Sequence, residues 1–240
     1  MILPTVSVCL ATYNGERYLR EQIDSILPQL SSADELVVSD DGSVDSTPEI
    51  LRSYGEHLRI VGQSRVGGVV PNFERALRAA GGDWIVLADQ DDVWLPQRLE
   101  RLREQLTKAD LVLSNAEVVD ASLNRSGQTL FDQLNPTISY WRNLQKNAFV
   151  GCCMAFRRSL LDRALPFPAD TPWHDWLIAL LGCAEGRVKL IDEPLLLYRR
   201  HVANVSATGG RSANSTFTKL GLRLRVMASV AVCLFRKPAA

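Results

Sequence analysis

Net charge is the first thing this chain lacks. Its 240 residues carry 27 Lys and Arg against 27 Asp and Glu, so no overall field draws it to nucleic acid or to an acidic partner. Cysteine is scarce. The five, Cys9, Cys152, Cys153, Cys183 and Cys233, are an odd number in mostly apolar contexts. Adjacent Cys152-Cys153 is not a CxxC pair, so neither a metal-ligand spacing nor a disulfide framework is expected. They read as reduced core residues of a cytosolic protein. Long apolar runs are missing too: none reaches the ~18 residues that a membrane span needs. The start has no basic segment followed by a long apolar one, so no signal peptide is expected. No internal repeat is visible. What remains is a chain with 46% hydrophobic residues, enough for a sizeable core, in a length that suits one large domain or a domain with an appendage.

The most informative stretch is Trp84-Ile85-Val86-Leu87-Ala88-Asp89-Gln90-Asp91-Asp92. An apolar, partly β-branched run bounded by polar residues reads as a buried strand. It breaks into three carboxylates within four positions, so these gather at a strand tip. Close like charges repel and raise one another's pKa unless a cation or donors intervene. Asp89 and Asp91 alternate along an extended segment and so point to the same side. Hard oxygen ligands of this kind suit Mg²⁺ or Mn²⁺. The competing reading is an acidic loop in which Asp92 caps the next helix, near Pro96.

Around that strand, β and α patterns alternate. Residues 6–11 read as a strand ending in Thr12-Tyr13-Asn14-Gly15, a turn-forming tip. Helical spacing runs over 16–30. A second strand over 35–39 closes in Asp40-Asp41-Gly42-Ser43, and a helix over 45–53 has Ser46 and Glu49 at capping-box spacing. A third strand over 58–61 leads to the loop Ser64-Arg65-Val66-Gly67-Gly68, and a helix over 71–80 leads back to Trp84. Such alternation predicts a mainly parallel sheet flanked by helices, with a ligand beyond the carboxyl ends of the strands. The tips at 12–14, 40–41 and 89–91 therefore converge on one crevice. Beyond it, a helix past Leu99 and a strand over 111–119 follow. Residues 128–136 are weakly patterned, a loop over the site. A strand with small residues covers 150–156, and Pro172-Trp173-His174-Asp175-Trp176 opens a helix reaching Leu181. Residues 188–191 and 195–198 read as two strands flanking Pro194. A Gly/Ser/Asn-rich stretch over 203–215 marks the boundary between a domain over 1–205 and a segment over 206–240. The tail over 217–235 mixes apolar residues with Lys219, Arg223 and Arg225. It suits either a membrane interface or a helix docked on protein.

These ordered motifs resemble glycosyltransferase family 2 with its GT-A fold. The resemblance rests on Thr12-Tyr13-Asn14-Gly15, Asp40-Asp41-Gly42-Ser43-Val44-Asp45-Ser46-Thr47 and Asp89-Gln90-Asp91-Asp92-Val93-Trp94, and it covers roughly residues 3–205. Gly67 with Asn72-Phe73, Trp173-His174-Asp175-Trp176 and Tyr198-Arg199-Arg200-His201-Val202-Ala203-Asn204 look most like the rhamnosyltransferase-type branch, which builds bacterial surface polysaccharides.

The resemblance implies inverting transfer of a sugar from a nucleoside diphosphate, dTDP-rhamnose first and UDP-hexoses next, to an acceptor hydroxyl of a glycan or lipid-linked glycan. It implies a metal held by Asp91, with Asp89 as second member of the pair. It implies a base-binding carboxylate at Asp41, with Asp40 either assisting or holding the turn, a nucleotide-binding first loop at Thr12, Tyr13 and Asn14, and a catalytic base at Asp175. His201 falls near the donor diphosphate or metal. Arg65 is a candidate diphosphate contact, and Trp173, His174 and Trp176 are candidate acceptor contacts. The Arg200 and Val202-Ala203 neighbourhood departs from the branch pattern, where a more polar, Gly-containing version is expected. An Asp in a first helical turn also suits the helix dipole with no catalytic role, and Asn14-Gly15 suits an ordinary turn. The expected setting is the inner face of the membrane, as a peripheral cytoplasmic protein. Two other functions compete. One is a sugar-phosphate nucleotidyltransferase, for which residues 12–17 lack a Gly-rich, basic phosphate loop. The other is an inactive sugar-nucleotide-binding protein, against which the full carboxylate set argues.

Overall fold

The computed structural model describes residues 4–201 and 216–236. Its first half follows the sequence pattern closely. Strand β1 (Val6–Thr12) leads to α1 (Leu19–Ile26), β2 (Glu35–Asp40), α2 (Thr47–Ser53), β3 (Arg59–Gly62), α3 (Val69–Ala79) and β4 (Trp84–Asp89). β1 pairs in parallel with both β2 and β4, and β2 with β3. That register puts Thr12 opposite Asp40 and Ala11 opposite Asp89. Buried Val, Ile and Leu fill β1, β2 and β4, as strands covered on both faces require.

The second half is more mixed. It holds β5 (Val93–Trp94), α4 (Arg98–Leu106), β6 (Leu111–Val119), β7 (Arg125–Thr129), α5 (Leu130–Leu134), α6 (Tyr140–Gln145), β8 (Met154–Arg157), α7 (Arg158–Ala164), α8 (His174–Glu185), β9 (Val188–Arg199) and α9 (Thr216–Phe235). The sheet order is β3-β2-β1-β4-β8-β6-β9-β5, with β7 added on β6. β8 runs antiparallel between β4 and β6, whereas β6 and β9 are parallel. Helices flank this sheet: α3 packs on β1 and β2, α4 on β6 and β8, and α7 on β4 and β8.

Several local expectations change. Ser46 makes no side-chain cap; instead Asp45 Oδ1 accepts the Thr47 N–H at 3.0 Å, and Glu49 pairs with Arg52. Residues 128–136 are not a loop. Thr129 and Asp132 form a capping box that starts α5, and buried Leu130 anchors it. The pattern was hidden because the preceding strand β7 is polar and mostly exposed. Gly151–Cys153 folds as a 3₁₀ turn, closed by Cys153 N–H to the Val150 carbonyl at 3.0 Å, so the strand begins only at Met154. The two strands around Pro194 are one, β9, with a register shift against Asn115. Pro194 has no N–H to offer the ladder, and Asn115 fills the gap by donating to the Asp192 carbonyl at 3.0 Å. The stretch 203–215 lies outside the described residues.

Candidate active site

Three loops at the carboxyl ends of β1, β2 and β4 lock onto one another. Gln90, between the two acidic residues of the β4 tip, accepts hydrogen bonds from the Thr12 hydroxyl (2.6 Å) and the Tyr13 N–H (2.8 Å). It also donates to the Tyr13 carbonyl at 3.1 Å. Gly15 is required beside it: a Cβ there would stand 2.4 Å from Gln90 Oε1. Asn14, at φ +46°, accepts from Val44 N–H through its side chain at 3.0 Å, while its own N–H donates to the Ser43 hydroxyl at 2.8 Å. Asn72 donates to the Thr12 carbonyl at 3.0 Å and accepts from Ser39 at 2.6 Å. Gln90 and Asn72 thus do structural work that motif spacing alone did not assign.

Asp40 and Asp41 divide their tasks. Asp40 is fully buried and holds the turn, accepting from the Ser43 hydroxyl and, at 3.1 Å, from the Ser43 N–H. Asp41 accepts from the N–H groups of Val66, Gly67 (3.0 Å) and Gly68 (2.8 Å). Burial raises its carboxyl, but these three donors outweigh burial, and with the nearby Arg65 charge they hold it below the usual carboxylate range. Gly67 and Gly68 sit at φ +91° and +124°, a conformation that favours glycine. Arg65 itself is exposed beside Gly42.

The β4 tip is of the opposite character. Burial, then the charges of Asp91 and Asp175, push the Asp89 carboxyl up to about 7. Burial pushes Asp175, in the first turn of α8, up to about 6. Its Oδ1 accepts from the Trp176 N–H at 2.7 Å, and the Gly151 amide also donates to it. Asp92 is 1% exposed and raised well above the usual range by burial and by Asp91 and Asp89. It does not cap a helix: Oδ1 accepts the Arg199 N–H at 3.1 Å, and the carboxyl is buried beside the Cys152 thiol. The ligand atoms of Asp89, Asp92 and Cys152 lie within 4.8 Å of one another. Asp91 instead faces His201, whose Nε2 is 2.8 Å from its Oδ2.

Beneath this acidic tip lie two buried cations. Arg199, 2% exposed, donates to the carbonyls of Asp91 (2.8 Å) and Ala121 (2.9 Å), pairs with Glu21, and sits 4.4 Å from the Tyr18 ring centre. Arg98 is fully buried and donates to the Cys152 carbonyl at 2.7 Å and the Ser114 hydroxyl at 2.9 Å. Arg98 was not singled out by its position in the sequence, and Asp92 was noted only within the carboxylate run or as a helix cap. The signal was the surplus of acid at 89–92, which needs buried positive charge nearby.

Of the three aromatic positions around Asp175, Trp173 is open to solvent. Trp176 is buried, its indole N–H donating to the Asn143 carbonyl at 2.9 Å. His174 is 4% exposed and stacked on Phe73 at 4.2 Å, with neither ring nitrogen hydrogen-bonded. Burial holds it down to about 3, a neutral ring in the core.

Comparison with known proteins bears on family and fold. The family model for glycosyl transferase family 2 matches residues 7–165. An uncharacterized glycosyltransferase of Nostoc sp. is 28% identical over 238 residues, which cover 91% of this chain and 72% of that protein. The Escherichia coli UDP-Glc:alpha-D-GlcNAc-diphosphoundecaprenol beta-1,3-glucosyltransferase WfgD is 28% identical over 180 residues, 73% of this chain and 69% of that one. Other curated relatives are longer still, so that this chain spans 63% of the putative glycosyltransferase EpsH of Bacillus subtilis. In fold, the chain resembles Staphylococcus aureus TarS 1–349 in complex with UDP-GlcNAc, with TM-score 0.70 and 20% identity over 98% of this chain and 68% of that one. It also resembles Mycobacterium tuberculosis glucosyl-3-phosphoglycerate synthase in complex with Mn²⁺, UDP and phosphoglyceric acid, with TM-score 0.57 and 22% identity over 98% and 80%. With the matched motifs clustered at one sheet edge, the chain belongs to glycosyl transferase family 2 and has the GT-A fold.

Proposed function

We propose that the chain is an inverting, metal-dependent transferase that moves a sugar from a nucleoside diphosphate to a hydroxyl of a glycan or lipid-linked glycan. The observation that carries this is the joining of Asp89, Asp91 and Asp175, from the β4 tip and from α8, in one electrostatic neighbourhood beside the pinned first loop. Inversion needs a base that takes the acceptor proton as the hydroxyl attacks the anomeric carbon. Asp175 suits that role. A carboxyl raised to about 6 is still ionised at neutral pH, yet is more basic than an ordinary one, and two backbone amides fix its orientation.

The residues at the β4 tip also fit a divalent cation. An acidic pocket whose carboxylates raise one another keeps them ionised only at a cost that a cation would offset, and its oxygen donors suit Mg²⁺ or Mn²⁺. Asp91 and Asp89 would hold it, with His201 beside Asp91. When bound, it neutralises charge on the departing diphosphate. The protein's own contribution is positional. Gln90 holds the Thr12-Tyr13-Asn14 loop for the nucleotide. Asp41, with three of its roughly four acceptor sites already filled by loop amides, keeps one for the ring N–H of thymine or uracil. Arg65 stands at the rim for the diphosphate, and Trp173 offers an exposed ring to the acceptor.

The donor we propose first is dTDP-rhamnose, with UDP-hexoses as the competitor. The acceptor class follows from a relative named for a diphosphoundecaprenol-linked substrate, and the matching location is the inner face of the membrane. No described helix is long and apolar enough to cross one. The test is a thermal-shift panel of dTDP, UDP and GDP with and without Mn²⁺. A ligand at 100 times its Kd stabilises by about 2.7 kcal/mol, so a pyrimidine diphosphate with Mn²⁺ should raise Tm by several degrees. No shift with any of the nucleotides would overturn the reading.

A further inference from the structure

Helix α9 is apolar on both sides. Its docked side buries Val226, Val230 and Cys233 against α6, α7 and α8. The seat is reinforced by Arg223 donating to the Gln145 carbonyl at 2.6 Å and Arg236 to the Pro166 carbonyl at 2.8 Å. A helix docked in this way ordinarily turns a polar face to water. Here the opposite face carries Phe217, Leu220, Leu224, Met227, Ala231 and Phe235, all exposed, with the phenylalanines at 88%. Their three- and four-residue spacing makes one continuous strip along the helix. No charged side chain interrupts it; Arg223 and Arg225 stand at its two borders. On α6, which packs beside α9, Trp141 is 68% exposed.

Charge says what this strip meets. Helix α9 and the residue after it carry Lys219, Arg223, Arg225 and Arg236 with no acidic residue among them. The neutral total therefore hides a strongly positive C-terminal part. A second copy placed on the strip by a twofold axis would bring the same cationic borders together with no acid on either helix, which is unfavourable. An anionic lipid surface complements both features: apolar side chains enter the acyl boundary while the flanking cations meet headgroups. An exposed Trp is at home at that depth.

We propose that the outward strip of α9 is a docking face for an anionic bilayer, with the helix lying in the plane of the interface. The site gains from this placement. The Thr171 hydroxyl hydrogen-bonds to Ser229 of α9 at 3.3 Å, four residues before Asp175, so the middle of the docked helix lies beside the chain that leads to the proposed base. A hydroxyl carried on a lipid would then be delivered close to it. This deepens the functional reading above and rests on it only for that last step.

The test uses the full chain with sedimenting vesicles, either pure phosphatidylcholine or phosphatidylcholine with phosphatidylglycerol, at low and high salt. The chain is expected to co-sediment with the anionic vesicles, to do so far less with neutral ones, and to be released by salt. A Leu224→Glu/Ala231→Glu double variant should lose more than about tenfold in vesicle affinity, with unchanged Tm and unchanged donor hydrolysis, because both positions face solvent. Arg225→Gln should lose a smaller factor. Failure to sediment, equal binding to neutral vesicles, or unchanged binding of the double variant each overturns the proposal. So does a dimer in vesicle-free solution that the double variant dissociates, since that assigns the strip to a second copy. A chain that binds anionic vesicles but transfers no sugar would instead overturn the enzymatic reading and leave this one standing.

Discussion

Asp41 and Asp89 lie at the tips of neighbouring regions of one sheet, and their surroundings treat a carboxylate in opposite ways. Around Asp41, three backbone amides supply donors and the acid is held low. Around Asp89, burial and two further carboxylates drive the acid up to about 7. The first region is complete in itself: its polar groups are matched, its turns are braced, and it can act as a rigid cradle. The second is incomplete. It has buried carboxylates that raise one another and few donors to offset them. On the proposed function, one side serves recognition and the other chemistry.

The largest effect is expected at the proposed base. Asp175→Asn should lower kcat by about 10²–10⁴ while leaving Mn²⁺-dependent dTDP or UDP binding, read by thermal shift, unchanged. A fully active variant would remove the role. Asp91→Asn should also abolish measurable transfer, but with the metal-linked nucleotide stabilisation lost as well, so the two variants separate chemistry from binding.

An intermediate effect is expected in the braced region. Gly15→Ala places a methyl where Gln90 Oε1 now stands and should cost about 1–3 kcal/mol by overpacking, seen as a lower urea midpoint. Gln90→Ala should show a smaller loss together with a raised KM for the donor, since the Thr12-Tyr13 loop loses three hydrogen bonds.

A further effect is on stability against pH. Asp89 and Asp175 titrate higher in the folded chain, at about 7 and about 6, than the ordinary 3.8. Between these values the folded state binds more protons than the unfolded one, so stability falls as pH rises from about 4 to about 7. Denaturation at several pH values should show this decline, and it should be shallower in Asp89→Asn and in the presence of Mn²⁺. Asp41 acts in the reverse sense: its held-down carboxyl contributes stability that is lost as pH falls below the ordinary carboxylate range.

The same contrast governs how much could be read in advance. The β1–β4 half was legible almost residue by residue because its strands are continuous apolar runs and its tips are short, polar and turn-forming. The convergence of Thr12, Asp40 and Asp89 follows from parallel pairing alone. The second half was less legible. β9 looked like two strands because Pro194 interrupts a pattern that Asn115 repairs from another strand. Residues 128–136 looked like a loop because the polar edge strand β7 that runs into them carries little alternation. His174 looked like a contact residue, yet Phe73, from a helix a hundred residues earlier, covers it.

By itself the sequence determined the order of strands and helices through β4, the three acidic or polar tips and the family motifs, since hydrophobic period and turn chemistry are local properties. Only the tertiary structure decided that Gln90 braces the first loop, that Asp92 turns inward beside Cys152 while Asp91 meets His201, and that α9 docks on one apolar face while leaving another bare. Those outcomes depend on which side chains from distant segments meet, and on how far burial outweighs the hydrogen bonds available at each carboxylate.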